Sequence, residues 1–217
     1  MKHNKFVIAL EGIDGTGKST QCHKLYEVLS DEGIKCRQLT FSLEHLNRDM
    51  MQTIKGYYEE KDESGYQKFE YAAVVYEQAK TYFEALISND EHEIIIADRY
   101  IYSLMLLLKM SYPKAKFTST LYEVLVNWLP APDLLFYLNI DAETAWKRIG
   151  LRGEKPRKME TFESVTKSLD VFPSIIETAS CETLNVDASS SADDIHNFIV
   201  GTTKNVIAEY ISRKRLI

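Results

Sequence analysis

Cysteine is scarce in this chain, and no apolar run is long enough to span a membrane. The three cysteines form no C-x-x-C pair and cannot all join in disulfides, so we expect reduced thiols in a cytosolic compartment. The longest strongly apolar run, residues 104–108, is far short of a membrane span. The apolar N-terminal segment is too short for a secretory signal and is interrupted by Glu11. These features predict a cytoplasmic protein without a membrane partner.

An excess of positive charge and a metal-binding histidine pattern are also missing. The net charge of −6 provides no basic face suited to a nucleic-acid polymer, and the five histidines show no H-E-x-x-H spacing. The length of 217 residues, with 45% hydrophobic and 27% charged residues, is ordinary for a compact globular domain. We therefore expect a single domain over residues 1–217, with a mobile, basic lid at about residues 150–160.

What the chain does contain is a complete phosphate-binding loop. Residues 12–19 read Gly-Ile-Asp-Gly-Thr-Gly-Lys-Ser and match the pattern G-x-x-x-x-G-K-[ST]. The apolar segment 5–11 before the loop suits a buried strand. Residues 20–29 after it have helical spacing and lead to Gly33, a residue suited to a helix C-terminus. The motif therefore stands in the strand–loop–helix setting that its chemistry requires.

A loop of this kind binds the phosphates of a nucleotide. Its backbone N–H groups and the N-terminus of its helix converge on phosphate oxygens. Lys18 can reach the β and γ phosphates, and the Ser19 hydroxyl can ligate Mg²⁺. The loop residues that we expect to contact the nucleotide are Gly12, Asp14, Gly15, Thr16, Gly17, Lys18, Ser19 and Thr20.

Strand-like and helix-like segments alternate along the rest of the chain. This alternation predicts an α/β fold with a parallel sheet covered by helices on both faces. A long helix is predicted over residues 66–86, and Ser191 provides a start signal for the last helix. The further predicted strands are residues 35–41, 93–97, 134–140 and 182–186.

A second signal follows the strand at 93–97, which ends in Asp98-Arg99-Tyr100. Open α/β sheets bind ligands at the carboxyl ends of their strands. The acid can orient Mg²⁺ or its waters there, and the arginine can bind a second phosphate group. A surface ion pair just past the strand is the alternative interpretation.

A third signal is a cluster of basic residues around the predicted lid. A closing lid can bring cations to a transferred phosphoryl group while it excludes water, although a solvated basic loop has the same composition. Neither the N-K-x-D motif of GTPases nor the L-S-G-G-Q motif of transporter ATPases occurs, so a small-molecule kinase fits best. The basic residues are Arg148, Arg152, Lys155, Arg157 and Lys158.

These motifs give the chain a resemblance to the thymidylate kinase family over almost its full length. The matching segments are F-V-I-A-L-E-G-I-D-G-T-G-K-S-T-Q at 6–21, I-I-I-A-D-R-Y-I-Y-S at 94–103, P-D-L-L-F-Y-L-N-I at 132–140, R-K-M-E at 157–160 and N-V-D-A at 185–188. The resemblance implies a P-loop kinase fold with a five-stranded parallel sheet. It also implies ATP as donor, Mg²⁺, a deoxynucleoside monophosphate as acceptor, and a homodimer.

The resemblance assigns roles to individual residues. Lys18 and Ser19 would hold ATP phosphates and Mg²⁺, and the metal site would then consist of Ser19 together with Asp98, whose Mg²⁺ role follows from its position after the strand at 93–97. Asp14 would face the acceptor sugar or phosphate, and Arg99 would bind the acceptor phosphate. The phosphate loop has no arginine, so the lid must supply the catalytic one, for which the candidates are Arg152 and Arg157. The segment with Asp187 and Ala188 resembles the loop that covers the adenine.

Two departures from the family pattern affect the acceptor site. The bacterial pattern R-E-P-G-G after the second strand is replaced by residues 40–45, Thr-Phe-Ser-Leu-Glu-His, with no arginine before Arg48. In the long helix, F-x-x-x-R is replaced by Tyr71 and Val75, so an aromatic residue remains for stacking or core packing, but the base-reading arginine does not. Gln78, one turn on, can take over the base edge. The expected acceptor-site residues are Asp14, Phe41, Arg48, Tyr71, Val75, Gln78, Asp98, Arg99 and Tyr100.

The leading interpretation is an ATP-dependent kinase of a pyrimidine deoxynucleoside monophosphate, with thymidine monophosphate as the first acceptor to test. One alternative is a deoxynucleoside kinase, in which Glu44 would act as the general base for a neutral hydroxyl. The other is a nucleotide-binding regulator that has lost phosphoryl transfer.

Overall fold

The computed structural model describes residues 5–40, 63–111, 123, 125, 127–153 and 160–214. In these ranges the strands are β1 Phe6–Glu11, β2 Cys36–Thr40, β3 Ile94–Asp98, β4 Leu134–Asn139 and β5 Thr183–Asp187. The helices are α1 Lys18–Asp31, α2 Glu63–Ile87, α3 Ile101–Ser111, α4 Ala142–Gly150, α5 Phe162–Ile176 and α6 Ala192–Lys214.

The five strands form one parallel sheet in the order β2-β3-β1-β4-β5. The central strand β1 pairs on one side with β3 and on the other with β4, so that Ile8 lies opposite both Ile96 and Leu134. In a parallel sheet all carboxyl ends meet at one edge. The residues that follow β1, β3 and β4 therefore lie close together, and ligands of such sheets bind at this edge.

Helices cover both faces of the sheet. Every residue of β1 and β3 is buried, although neighbouring side chains on a strand point to opposite faces. α1 packs on β1, β2, β3 and α6, whereas α5 packs on α3 and α4. The fully buried aromatic residues Tyr82, Phe136 and Phe172 belong to the continuous core between these layers. The predicted α/β parallel sheet is confirmed.

The predicted boundaries differ from the observed ones by up to three residues. The long helix begins at Glu63 rather than residue 66, and each of the later predicted strands is shifted or shortened at its ends. Gly33 has φ +76° and donates its N–H to the Ser30 oxygen, which ends α1 as predicted. Ser191 caps α6 as predicted, because its hydroxyl accepts the Asp194 N–H at 3.1 Å.

None of the helices within the described ranges combines the length and the apolar character that a membrane crossing requires.

Candidate active site

The phosphate loop is wedged between β4, α4 and the start of α1. Gly15 has φ +89°, and a Cβ there would stand 2.5 Å from the Ala145 oxygen in α4. A Cβ on Gly12 would stand at the same 2.5 Å from the Leu138 oxygen in β4. Both positions therefore require glycine, because a side chain would collide with backbone that cannot easily move. This packing fixes the path of the loop.

The N-terminus of α1 opens into the loop. No side chain within the described ranges caps it, and its first turn contains no acidic residue. The first N–H groups of a helix lack intrahelical partners and carry partial positive charge. The end of α1 therefore offers an anion site directly behind the loop.

Lys18 is buried within this loop. Its side chain is 4% exposed, and its Nζ donates to the Ile13 oxygen at 2.6 Å and to the Thr16 hydroxyl at 3.4 Å. Burial, helped by the charge of Arg99, lowers the pKa of Lys18 to about 8, although the carboxylates of Asp14 and Asp98 oppose the shift. A bound polyphosphate would favour the charged form, so this lysine and such a ligand stabilise each other.

Arg99 follows β3 and points at the phosphate loop. Its guanidinium forms an ion pair with Asp14 and donates to the Gly12 oxygen at 3.3 Å. Burial disfavours its charge, but the carboxylates of Asp14, Glu11 and Asp98 outweigh that effect and raise the pKa of Arg99. The site therefore contains a permanent cation at the mouth of the loop, next to the cation of Lys18.

Asp98, the last residue of β3, provides an unsatisfied carboxylate oxygen. The residue is 2% exposed, and its Oδ1 has no hydrogen-bond partner among the described residues. It lines the same cavity as Ser19. A buried acceptor without a partner is costly, and carboxylate and hydroxyl oxygens are ligands that Mg²⁺ uses together with water and phosphates. Asp98 and Ser19 therefore fit the predicted Mg²⁺.

These residues surround a cavity of about 360 Å³. Its four basic side chains outnumber its two carboxylates, which suits a polyphosphate better than an apolar ligand. A larger surface depression of about 550 Å³ beside Lys24 and His196 contains none of the phosphate-loop residues. We therefore assign the site to the cavity of about 360 Å³. The wall consists of Asp14, Gly15, Gly17, Lys18, Ser19, Thr20, Thr40, Asp98, Arg99, Arg148 and Arg152.

A smaller cavity of about 70 Å³ adjoins the first and shares Asp14 and Arg99 with it. The rest of its wall comes from the phosphate loop, from α3 and α5 and from Glu160, and consists of Ile13, Leu106, Glu160, Ser164, Val165 and Ser168. The ion pair of Asp14 and Arg99 therefore stands between two neighbouring spaces.

The loop after β5 is tied to α4. Ala188 is buried, donates its N–H to the Asn139 oxygen at 2.8 Å and accepts a 2.8 Å hydrogen bond from the Arg148 guanidinium. The Ser189 hydroxyl and N–H donate to Asp187 and lower the pKa of that carboxyl. Neither Asp187 nor Ala188 lines the cavity, but Arg148 does. The predicted adenine loop is thus linked to the site through Arg148.

The lid contributes Arg152 to the cavity from the end of α4. Its guanidinium pairs with Glu160 at 3.1 Å, across the ends of the predicted lid. The other basic lid residues, Lys155, Arg157 and Lys158, lie outside the described residues.

Three of the predicted acceptor-site residues, Asp14, Asp98 and Arg99, line the cavity. The other predicted acceptor-site residues that the structure describes do not. Val75 and Gln78 on α2 and Tyr100 before α3 are all buried, and the Tyr100 hydroxyl donates to the Pro130 oxygen at 3.1 Å. Their roles, like those of the other site residues, stay predictions. Phe41, Glu44, Arg48 and the side chain of Tyr71 lie outside the described residues.

Sequence reasoning missed three residues that hold Arg99. Glu11 is fully buried and accepts N–H bonds from Tyr100 at 2.8 Å and from Ser103 at 3.0 Å. Burial raises the pKa of Glu11, while hydrogen bonds from Ser103 and Tyr100 oppose that shift. Tyr82 donates its hydroxyl to the Arg99 oxygen at 2.6 Å. The available signal was a single carboxylate at the end of an otherwise apolar strand, directly before the phosphate loop.

The fold and the site together define the class of the protein. A strand, a glycine-rich loop and a helix stand at the centre of a five-stranded parallel sheet, with a cation-lined cavity at its carboxyl edge, as in P-loop kinases. The family model described as thymidylate kinase matches residues 10–199. The chain therefore belongs to the thymidylate kinase family, and it is a nucleoside monophosphate kinase with phosphotransferase activity that phosphorylates nucleotides.

Individual relatives agree with this assignment. The chain is 29% identical over 215 residues to a probable thymidylate kinase of Pyrococcus horikoshii, covering 92% of this chain and 96% of the relative. It is 28% identical over 211 residues to a thymidylate kinase of Schizosaccharomyces pombe, covering 92% of each. A solved structure of deoxyadenosine kinase from M. mycoides, with products dCMP and a flexible dCDP bound, has a TM-score of 0.63 and 19% identity, covering 92% of this chain and 100% of that chain. This likeness shows a shared fold.

Proposed function

We propose that this enzyme transfers the γ-phosphoryl group of ATP to the phosphate of a pyrimidine deoxynucleoside monophosphate. Thymidine monophosphate is the first acceptor to test. The observation that carries the proposal is the position of Arg99. A second, partly buried cation stands beside Lys18 at the mouth of the phosphate loop, and a second anion is the ligand that such a cation suits.

The phosphate loop and Lys18 would hold the donor. The free N–H groups at the start of α1 and the Lys18 ammonium would bind the phosphates, and the ammonium would leave the Ile13 oxygen to do so. Asp98 and Ser19 would hold Mg²⁺, which supplies neutralisation of phosphate charge when bound. The unpartnered Oδ1 of Asp98 supports this role.

Arg99 and Asp14 would hold the acceptor between the two cavities. The phosphate of a nucleoside monophosphate is already an anion near neutral pH, so its attack on the donor requires no general base. Arg99 would neutralise this phosphate and fix its direction of approach. Asp14 would accept a hydrogen bond from the acceptor sugar beside the smaller cavity, which extends toward α3 and α5.

The lid would supply the cation that stabilises the transferred group. Arg152 already lines the cavity, and Arg157 is the second candidate. A guanidinium that approaches the donor and acceptor oxygens only after both have bound stabilises the transition state more than the bound substrates. Arg152 would exchange Glu160 for the phosphoryl group as it takes that position.

The choice of base would depend on α2. Tyr71 would stack on the base, and Val75 cannot donate a hydrogen bond to a thymine carbonyl. Loss of one such donor usually weakens discrimination by about 1–3 kcal/mol, or roughly tenfold to a hundredfold. We therefore expect this enzyme to discriminate weakly among pyrimidine bases, unless Gln78 takes over the base edge.

The enzyme would act in the cytoplasm as a homodimer. Phe69, Tyr76 and Ile87 are exposed on α2, and their spacing of seven and eleven residues places them along one side of the helix. An apolar stripe of this length would be covered by a second subunit. Tyr76→Glu should convert a dimer to a monomer in sedimentation experiments. The free thiols of Cys22, Cys36 and Cys181 support the cytoplasmic location.

A coupled assay of ADP release tests the proposal. The common nucleoside monophosphates are compared with thymidine and deoxycytidine as acceptors at a fixed ATP concentration, and the Lys18→Ala protein provides the background rate. We expect pyrimidine deoxynucleoside monophosphates to be the preferred acceptors. A preference for a purine monophosphate or for an unphosphorylated nucleoside would overturn the acceptor assignment, and a rate equal to background with every acceptor would indicate a regulator without transfer activity.

A further inference from the structure

Arg99 has a backbone conformation that residues with a Cβ rarely adopt. Its φ is +71°, and no other non-glycine residue in the described ranges has a positive φ. Such a conformation is unfavourable in isolation and persists only where surrounding groups hold it. Arg99 is also the cation at the mouth of the phosphate loop. The groups that hold its backbone therefore determine where its guanidinium lies.

Two hydrogen bonds hold the backbone of Arg99 on both sides. Its N–H donates to the Leu10 oxygen in β1 at 3.1 Å, and its oxygen accepts the Tyr82 hydroxyl from α2 at 2.6 Å. Tyr82 is 1% exposed, and its ring packs edge-on against Tyr100 at a centroid distance of 4.9 Å. This packing fixes the position of the Tyr82 hydroxyl, which in turn holds the backbone of Arg99.

A second set of contacts holds the guanidinium. Arg99 Nη1 donates to the Ser103 Oγ at 3.2 Å, and the Ser103 hydroxyl in turn donates to Glu11 Oε2. A hydroxyl accepts and donates at once, so Ser103 transmits the negative charge of Glu11 to the guanidinium. The other oxygen of Glu11 is held by the N–H groups of Tyr100 and Ser103.

We propose that Tyr82, Ser103 and Glu11 are positioning residues, which hold Arg99 in its left-handed conformation and aim its guanidinium at the acceptor phosphate. The inference rests on the proposed role of Arg99 as the acceptor clamp. None of the three lines the larger cavity, so each acts through Arg99. Their loss should raise the KM for the acceptor and leave the affinity for ATP unchanged, because the donor is held by other residues.

A purely structural role would give a different result. Removing a buried hydroxyl also lowers stability, and a lower stability by itself does not change one KM selectively. The effects of substitutions at two residues that act as a unit do not add. If Tyr82 acts only through Arg99, its substitution has no further effect on the acceptor KM once the guanidinium is gone.

The experiment compares Tyr82→Phe with Tyr102→Phe in the whole enzyme. Both variants lose one buried hydroxyl, but the Tyr102 hydroxyl lies 3.9 Å from the Cys181 sulfur and, within the described part of the chain, does not line the larger cavity. We expect Tyr82→Phe to raise the acceptor KM by roughly threefold to tenfold, the effect of one lost hydrogen bond. Tyr102→Phe should leave it unchanged, and the dissociation constant of ATP should be unchanged in both.

The same substitution in an Arg99→Ala background completes the test. Tyr82→Phe should then cause no further rise in the acceptor KM. Suppose that Arg99→Ala raises the acceptor KM. The positioning role is then overturned if Tyr82→Phe leaves the acceptor KM unchanged, or if it raises this KM equally with and without Arg99. If Arg99→Ala itself leaves the acceptor KM unchanged, the proposed acceptor clamp fails and the positioning role fails with it. Glu11→Gln, which keeps the shape and removes the charge, should repeat the result of Tyr82→Phe.

Discussion

The Lys18 ammonium donates a hydrogen bond to the backbone oxygen of Ile13, 2.6 Å away, within the loop to which both belong. This hydrogen bond gives the lysine a partner, but its charge is buried and its pKa is lowered to about 8. Phosphate oxygens would offer Lys18 a stronger, negatively charged partner than a neutral carbonyl. The same side chain therefore binds the backbone of its own loop and would bind the donor, and the second property can be tested.

Lys18→Ala should abolish phosphoryl transfer and leave the fold intact. Loss of a cation directed at the β and γ phosphates costs several kcal/mol of transition-state stabilisation, or on the order of 10²-fold or more in rate. Lys24→Ala, further along α1 and outside the cavity wall, is the matched control. Near-normal turnover in a folded Lys18→Ala protein would contradict the assignment of the loop.

The affinity for ATP should fall as the pH rises above about 8. Lys18 in the free enzyme is charged below its pKa of about 8 and neutral above it. Bound phosphates raise that pKa, so binding takes up a proton at higher pH, and the affinity then falls by up to roughly tenfold per pH unit. Titration of ATP binding between pH 7 and 9.5 measures this slope. The Lys18→Ala protein should lack it, and a constant affinity in the unaltered enzyme would contradict the lowered pKa.

The lid arginines should affect turnover more than donor binding. Replacement of Arg152 and Arg157 by alanine should lower kcat by on the order of 10²-fold or more, with a much smaller change in the dissociation constant of ATP. Lys147→Ala is the control, because Lys147 is exposed on α4, the helix that ends where the lid begins. An unchanged kcat in the double variant would rule out the role of the lid arginines.

An ion pair at the amino-terminal edge of the sheet, opposite the active-site cavity, should make the stability of the fold depend on pH. The carboxyl of Asp90 accepts hydrogen bonds from Lys5 and, at 2.8 Å, from the Ser88 hydroxyl, and these contacts hold its pKa well below the usual range. A lowered folded-state pKa stabilises the fold fully above the ordinary aspartate value, and this stabilisation is lost as the pH falls below about 4.

Asp90→Asn tests this ion pair by thermal unfolding. The variant should have a lower Tm than the unaltered enzyme at pH 7, and the difference should shrink between pH 5 and pH 2. Asp31→Asn, at the exposed end of α1, is the matched control. A Tm difference that does not change with pH would contradict the lowered pKa.

The fold was predictable from the sequence because its signals are local. The apolar runs give the strands, and the fixed spacing of residues 12–19 gives the phosphate loop. The groups that hold Arg99 were not predictable, because Glu11 and Ser103 are 92 residues apart and meet only when β1 and α3 pack together. The left-handed backbone of Arg99 has no local sequence signal either, since it depends on contacts from β1 and α2.

The acceptor site was the least predictable part of the protein. Matching a family pattern along α2 assigns Val75 to the base-reading position, but it does not fix which side of the helix faces the ligand. In the structure Val75 is 2% exposed and belongs to the hydrophobic core. The direction of a helix face depends on the packing of the whole molecule, so a motif locates such a residue along the chain more reliably than in space.

In the proposed function, Arg99 binds the phosphate of a nucleoside monophosphate acceptor. The decisive measurement offers thymidine monophosphate and thymidine in separate reactions with ATP and Mg²⁺, and compares the rate at which thymidine diphosphate forms in the first with the rate at which thymidine monophosphate forms in the second. We expect thymidine diphosphate to form much faster from thymidine monophosphate than thymidine monophosphate forms from thymidine, and Arg99→Ala should remove this preference. Phosphorylation of thymidine in preference to its monophosphate, or a preference that Arg99→Ala leaves intact, would contradict this proposed function.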